Sequence, residues 1–142
     1  MRLYRVGLFT DVYFPNPNGV TTSVYLLLRE LRRMGHEAWV IAPAHPEAPE
    51  NEEGVARVPS VAYPFYEGQQ IALPSARHLP TEFELVHTHT PLTLGVWGLR
   101  IARNKNLPHV STFHTHYEKY AHYVPRLAFL DKYTGIVPRL AK

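Results

Sequence analysis

Residues 3–42 hold an apolar run, a turn-rich loop, a stretch with helical periodicity, a glycine and a second apolar run, in immediate succession. Residues 3–10 (LYRVGLFT) alternate and then run apolar, which predicts a first, central strand. The following loop concentrates Pro15, Asn16, Pro17, Asn18 and Gly19, residues that punctuate turns. From Val20, apolar positions recur at Val24, Leu27, Leu28, Leu31 and Met34, one face of an amphipathic helix. Arg29, Arg32 and Arg33 lie largely off that face and near its C-terminal end, where cations suit the helix dipole. Gly35 supplies a helix stop, and residues 38–42 (AWVIA) read as a second buried strand. Strand, helix and strand within about forty residues make a βαβ unit, whose crossover joins parallel strands. The chain is thereby confined to an α/β, Rossmann-like architecture: a mostly parallel sheet with helices on both faces.

The rest of the chain extends that pattern. Pro43, Pro46 and Pro49 mark a loop, followed by the carboxylates up to Glu53, and residues 55–59 suit a short strand. Between residues 61 and 80, Tyr63, Phe65 and Tyr66 sit among Pro64, Gly68 and Pro74, and only residues 70–73 carry a strand pattern. Residues 85–89 (LVHTH) predict a strand with a polar end, residues 92–103 a helix, and residues 108–113 a further buried strand. After Tyr117 the pattern turns helical, broken by Pro125 and Pro138. The chain reaches Lys142 without another strand, and reads as an N-terminal piece of a longer protein.

Composition sets outer bounds. With 142 residues there is enough chain for one domain with a core. The absence of cysteine excludes disulfides and thiolate metal sites. A net charge of +3 is too weak to argue for nucleic acid, though it suits an anionic substrate or lipid surface. No apolar run approaches the roughly 18 residues of a spanning helix, and the N-terminus lacks a signal-peptide pattern. The expected location is the cytoplasm.

Candidate chemistry collects where strands are expected to end. Asn18-Gly19 precedes a helix after the first strand, where exposed N–H groups and the helix dipole favour an anion. The full G-x-G-x-x-G fingerprint is missing, which argues against a nicotinamide cofactor. His87-Thr88-His89 places two histidines on one side of an extended strand, and His114-Thr115-His116 repeats the spacing one strand later. If those strands are neighbours, four histidines meet at one sheet edge, with Asp11 at a third strand end. Two readings follow from the residues: a metal site that activates water, or histidines acting as hydrogen-bonding groups near neutral pH. Packing alone is the bland alternative, and it suits the Tyr117, Tyr120 and Tyr123 spacing best.

Taken in order, the motifs resemble the N-terminal half of retaining glycosyltransferases of family 4, with the two-Rossmann-domain (GT-B) fold. Within that family the likeness is greatest to the bacterial diacylglycerol glucosyltransferase group. The residues that carry it are Thr10-Asp11, Phe14-Pro15, Asn18-Gly19-Val20-Thr21-Thr22-Ser23, Gly35-His36-Glu37, Val86-His87-Thr88-His89-Thr90-Pro91, Leu94-Gly95 and Ser111-Thr112-Phe113-His114-Thr115, with Tyr117, Glu118, Tyr120, His122 and Tyr123 beyond. The resemblance implies transfer of a sugar from a nucleotide donor such as UDP-glucose to an acceptor, with retained anomeric configuration. It implies that His114 hydrogen-bonds the donor sugar near the reacting centre, where a preorganised polar group stabilises developing charge. Asn18, Gly19 and Val20 are expected at the donor diphosphate, and Asp11, Tyr13, His87, His89, His116 and Tyr117 on the acceptor side. No metal or other cofactor is implied. A diacylglycerol or other lipid acceptor follows from the subgroup. Peripheral contact with the inner membrane face follows from it together with Arg29, Arg32, Arg33 and the aromatic residues 63–66.

The chain departs from the family pattern in two ways. Asn18 stands where many members have a glycine, a place for which its tolerance of left-handed geometry suits it. The C-terminal domain, with its paired glutamates and basic donor-binding residues, is expected to lie outside these 142 residues. Residues 1–142 are therefore expected to be the acceptor-binding N-terminal domain, incomplete and inactive alone. The alternatives are a metal-dependent hydrolase built on the two H-x-H pairs, and a non-catalytic Rossmann-like binding module.

Overall fold

The computed structural model describes residues 1–65 and 67–114. These form β1 (Arg5–Phe9), α1 (Gly19–Arg33), β2 (Glu37–Pro43), β3 (Val55–Val58), β4 (Ser60–Ala62), β5 (Gln70–Ala72), a 3-10 turn (Ala76–His78), β6 (Leu85–Thr88), α2 (Thr93–Asn104) and β7 (His109–Ser111). Five strands make one sheet in the order β3-β2-β1-β6-β7, with every neighbouring pair parallel. The βαβ reading of the first 42 residues is thus what forms.

The period-two alternation of β1 explains why one strand serves two layers. Val6 and Leu8 face one side, packing with Ala38 and Val40 of β2 and with Val24 and Leu28 of α1. Phe9 faces the other, packing with Ile41, Val86 and Leu94 and Ala102 of α2. The two helices therefore cover opposite faces. Leu8 and Phe9 are completely buried, and burial of each such side chain stabilises the fold by roughly 1.5–3 kcal/mol. Phe9 meets Phe83 and Trp97 edge-on, each at 5.8 Å between ring centroids. Gly98 permits this approach, because a Cβ there would lie 2.9 Å from Phe9 Cγ and 3.0 Å from Thr88 Cγ2.

From β1 the chain runs outward through β2 and β3, then returns to lay β6 on the other side of β1. The carboxyl ends of β1 and β6 flank the point where strand order reverses, which is where open α/β sheets bind ligands. Backbone bonds from Thr10 N–H to the Ile41 carbonyl (3.0 Å) and from His89 N–H to the Phe9 carbonyl (3.0 Å) extend the sheet to this edge.

The strand expected at 70–73 forms as Gln70–Ala72, outside the main sheet and paired antiparallel with Ser60–Ala62, which carried too short a pattern to read. Gly68, at φ +79°, lies in the turn between them. Two other local expectations are corrected. The strand expected at 108–113 shrinks to His109–Ser111, with Val110 and Phe113 exposed rather than buried, because β7 is the outermost strand of the described sheet. Asn18 adopts an extended φ of −157°, so its place is not explained by left-handed backbone. The helical pattern after Tyr117, together with His116, Tyr117 and Tyr66, lies outside the described residues. Among the described residues no helix is long and apolar enough to cross a membrane.

Candidate functional site

Asp11 follows the β1 edge and is buried. Its N–H donates to Thr90 Oγ1 (3.0 Å), and the Thr90 hydroxyl donates back to Asp11 Oδ2 (2.6 Å). Oδ1 accepts the Leu94 N–H (2.9 Å) and Oδ2 the Gly95 N–H (3.4 Å). The residue before α2, Leu92, has no side chain able to cap the helix, so Asp11, some eighty residues earlier in sequence, supplies the anion that a helix N-terminus favours. Gly95 makes the seat tight, since a Cβ there would collide with the Thr90 carbonyl oxygen. Burial pushes the Asp11 carboxyl up to about 6, against the lowering effect of its hydrogen bonds. Asp11 was expected on the acceptor side; its carboxylate is engaged by Thr90 and the start of α2, joining the two sides of the switch point.

Three of the four histidines, His87, His89 and His114, come together, and His116 lies outside the described residues. Because β6 and β7 are paired, with His87 opposite Val110 and Thr88 opposite Ser111, the end of β7 carries His114 to the end of β6. The His87 and His89 rings stack at 4.1 Å between centroids, confirming that the i, i+2 pair shares a side. His89 Nδ1 lies 3.2 Å from His114 Nε2, and His87 Nε2 lies 2.7 Å from Thr112 Oγ1. Burial lowers all three rings: His87 to about 4, His89 to about 3, and His114 below its ordinary value. Neighbouring rings add to this for His87 (His109, His114) and His89 (His87, His114). Lowered in this way, the three rings favour the neutral form, in which they can meet one another and a ligand through hydrogen bonds. Among the described residues no group of three histidines or carboxylates is arranged to hold a metal ion. His109, which the sequence did not single out, joins the network through its Nε2 and Thr88 Oγ1 at 2.9 Å.

At the other side of the edge, the Asn18 side chain accepts the Thr21 N–H (2.9 Å) and its carbonyl the Thr22 N–H (3.1 Å). Asn18 is thus chosen as an N-cap. The cap leaves the Gly19 and Val20 N–H groups at the end of α1, and beyond the adjoining helix backbone and chain neighbours no atom lies within 4 Å of where a Gly19 Cβ would stand. The loop itself is fastened. Thr21 Oγ1 donates to the Asn16 carbonyl (2.8 Å), Asn16 Nδ2 to the Gly68 carbonyl (3.0 Å), and Gln69 Nε2 to the Asp11 carbonyl (3.3 Å). Gln69 had no recognisable signal in sequence, because it acts from the β4–β5 turn.

Tyr13 is only 4% exposed and packs among the α1-side core residues. Burial, with the Glu52 carboxylate, pushes its hydroxyl up to about 12. With Asp11, His45 and Arg57 it lines a cavity of about 10 Å³, room for about one water. Arg57 binds Glu52 through two bonds (2.7 and 2.9 Å) and also the Pro43 and Phe14 carbonyls (3.0 and 2.6 Å). Of the basic group on α1, Arg32 sits over Trp39 at 5.6 Å and Arg33 bonds Glu30 at 2.8 Å.

A model of Glycosyltransferase Family 4 matches residues 17–142. The chain is 34% identical over 128 residues to an alpha-monoglucosyldiacylglycerol synthase of Streptococcus pneumoniae, covering 86% of this chain and 29% of the relative. It is also 34% identical over 145 residues to the enzyme of the same name from Acholeplasma laidlawii, covering 97% of this chain and 35% of the relative. A GDP-mannose-dependent alpha-mannosyltransferase of Mycolicibacterium smegmatis is 36% identical over 121 residues, 78% of this chain and 32% of the relative. The chain spans about a third of the length of these relatives.

Proposed function

Because this chain belongs to glycosyltransferase family 4, we propose that it is the acceptor-side N-terminal domain of a retaining enzyme that transfers a sugar from a nucleotide donor to a lipid. The observation that carries the reading is the shared placement of two unlike features at the carboxyl edge of one parallel sheet. These are the N-terminus of α1 at Gly19 and Val20 and the histidine cluster ending in His114. The α1 end offers N–H groups to a diphosphate. His114 offers a directional hydrogen bond to the sugar at the reacting centre, where charge develops. Asp11, Tyr13, His87, His89, His116 and Tyr117 are assigned to the acceptor side, Asp11 and Tyr13 by shaping the edge.

The acceptor class is drawn from relatives whose names specify glucosyldiacylglycerol and phosphatidyl-myo-inositol products or substrates. A lipid acceptor places the working enzyme peripherally at the inner membrane face, with the exposed Phe65, Arg29 and Arg33 available to the lipid. Most of the donor is gripped by a second domain belonging to the longer protein, so residues 1–142 alone do not turn over. No metal takes part; helix-terminal N–H groups and basic side chains serve the diphosphate. Family membership favours this reading over a metal-dependent hydrolase or a non-catalytic module.

The test is a transfer assay on the full-length protein, with UDP- and GDP-linked sugars and vesicles containing diacylglycerol or phosphatidylinositol. Glycolipid formation of retained anomeric configuration is expected, together with a loss of about 100-fold or more in His114→Ala, the scale of removing one preorganised polar group. Undiminished transfer by His114→Ala would remove that histidine from the reacting centre.

A further inference from the structure

His114 reaches the end of β6 through a single described polar contact, its Nε2 to His89 Nδ1 at 3.2 Å. Burial favours the neutral form of both rings, and a neutral imidazole carries one proton, on either nitrogen. Only one proton can lie between Nδ1 of His89 and Nε2 of His114, so two arrangements exist. In one, His114 donates, and the proton of His89 sits on Nε2. In the other, His89 donates from Nδ1, its Nε2 is bare, and the proton of His114 sits on Nδ1.

The surroundings of His89 separate the two. The residue is 3% exposed, and its Nε2 has no hydrogen-bond partner among the described residues. The first arrangement would leave a buried N–H without an acceptor. The second leaves only an under-used acceptor, and orphaned N–H donors are the rarer defect in folded proteins. His87, stacked on His89 at 4.1 Å, holds the ring plane, and the His87 contact to Thr112 ties that plane back to the strand leading to His114. We infer that His89 is a positioning residue that donates its Nδ1–H to His114 and thereby fixes His114 as the Nδ1–H tautomer, presenting a hydrogen-bond donor to the ligand oxygen it meets.

This deepens the reading of His114 as the group facing the sugar and rests on it for its consequence, but not for its geometry. A ring free to exchange tautomers would present a donor only part of the time. A ring locked as a donor is matched to a hydroxyl or an oxygen gaining negative charge, and not to a ligand N–H.

The experiment is long-range ¹H–¹⁵N correlation NMR on histidine-labelled full-length protein, the His114 signals being assigned through His114→Ala. Wild type is expected to show a protonated Nδ1 and a bare Nε2 on His114. His89→Phe, which keeps a ring and removes the donor, is expected to give mixed tautomers. It should also lower sugar transfer by about 10- to 100-fold, the scale of losing a partner that orients a functional imidazole, mainly in kcat. His89→Asn, whose amide N–H occupies the place of Nδ1–H, is expected to restore the single tautomer and much of the rate. A wild-type His114 protonated on Nε2 overturns the inference, and needs no variant to fold. So does an unchanged tautomer in His89→Phe. If the tautomer is as stated while His114→Ala transfers normally, the positioning by His89 stands and the placement of His114 at the reacting centre falls.

Discussion

Asp11 and the histidines respond to pH in opposite senses. Asp11 titrates near 6 in the fold against an ordinary 3.8. Between those values the native state holds a proton that the unfolded chain has lost, so raising the pH through this window lowers stability. His87 and His89 titrate near 4 and 3 in the fold against 6.5. Below 6.5 the unfolded chain gains protons that the native state refuses, so their contribution is complete above 6.5 and is lost as the pH falls. With two strongly lowered rings against one raised carboxyl, thermal melts are expected to show net loss of stability between pH 6.5 and 4. The Asp11 part is isolated by Asp11→Asn, whose melting temperature should improve relative to wild type as the pH rises from 4 to 7. Parallel curves for the two proteins would show that Asp11 is not titrating in that window.

Two elements depend on caps of different kinds, and the difference predicts different mutational costs. Helix α1 is capped locally by Asn18; Asn18→Ala should cost about 1 kcal/mol in denaturant unfolding. Helix α2 is capped from a distance by Asp11, against a Thr90 backbone that leaves no room for a Cβ at Gly95. Gly95→Ala should therefore destabilise by about 3 kcal/mol or more, because the obstacle is backbone rather than a side chain that can swing away. Gly98→Ala meets the Phe9 ring and the Thr88 methyl instead and should cost less. A Gly95→Ala protein as stable as wild type would mean that α2 can move off its seat.

At the scale of the whole molecule, the sheet brings together segments that share no sequence neighbourhood: the Asp11 loop, the end of β6 and the end of β7. The chain belongs to glycosyltransferase family 4 and spans about a third of its relatives. The expectation that follows is a division of labour. Purified residues 1–142 should give no sugar transfer above background, and the full-length protein should give it readily. A robust rate from the 142-residue chain would overturn the two-domain reading.

The βαβ unit, the amphipathic α1, the buried strands β1 and β2 and the pairing of His87 with His89 on one side were legible in the residues, because each follows from a period of 2 or 3.6 within a short window. The order of the motifs likewise pointed to the family. What the sequence could not show was set by contacts across long separations. Asp11 reads locally as a polar residue at a strand end, and becomes a helix cap only when β6 lies beside β1. His114 and His89, twenty-five residues apart, come within hydrogen-bond distance only because β7 pairs with β6. The β4–β5 ribbon and the exposure of Val110 were decided the same way, by which neighbours the sheet supplied. Local periodicity determined which elements form; the parallel register and the switch point decided which side chains meet, since partner identity is a property of packing and not of any window of chain.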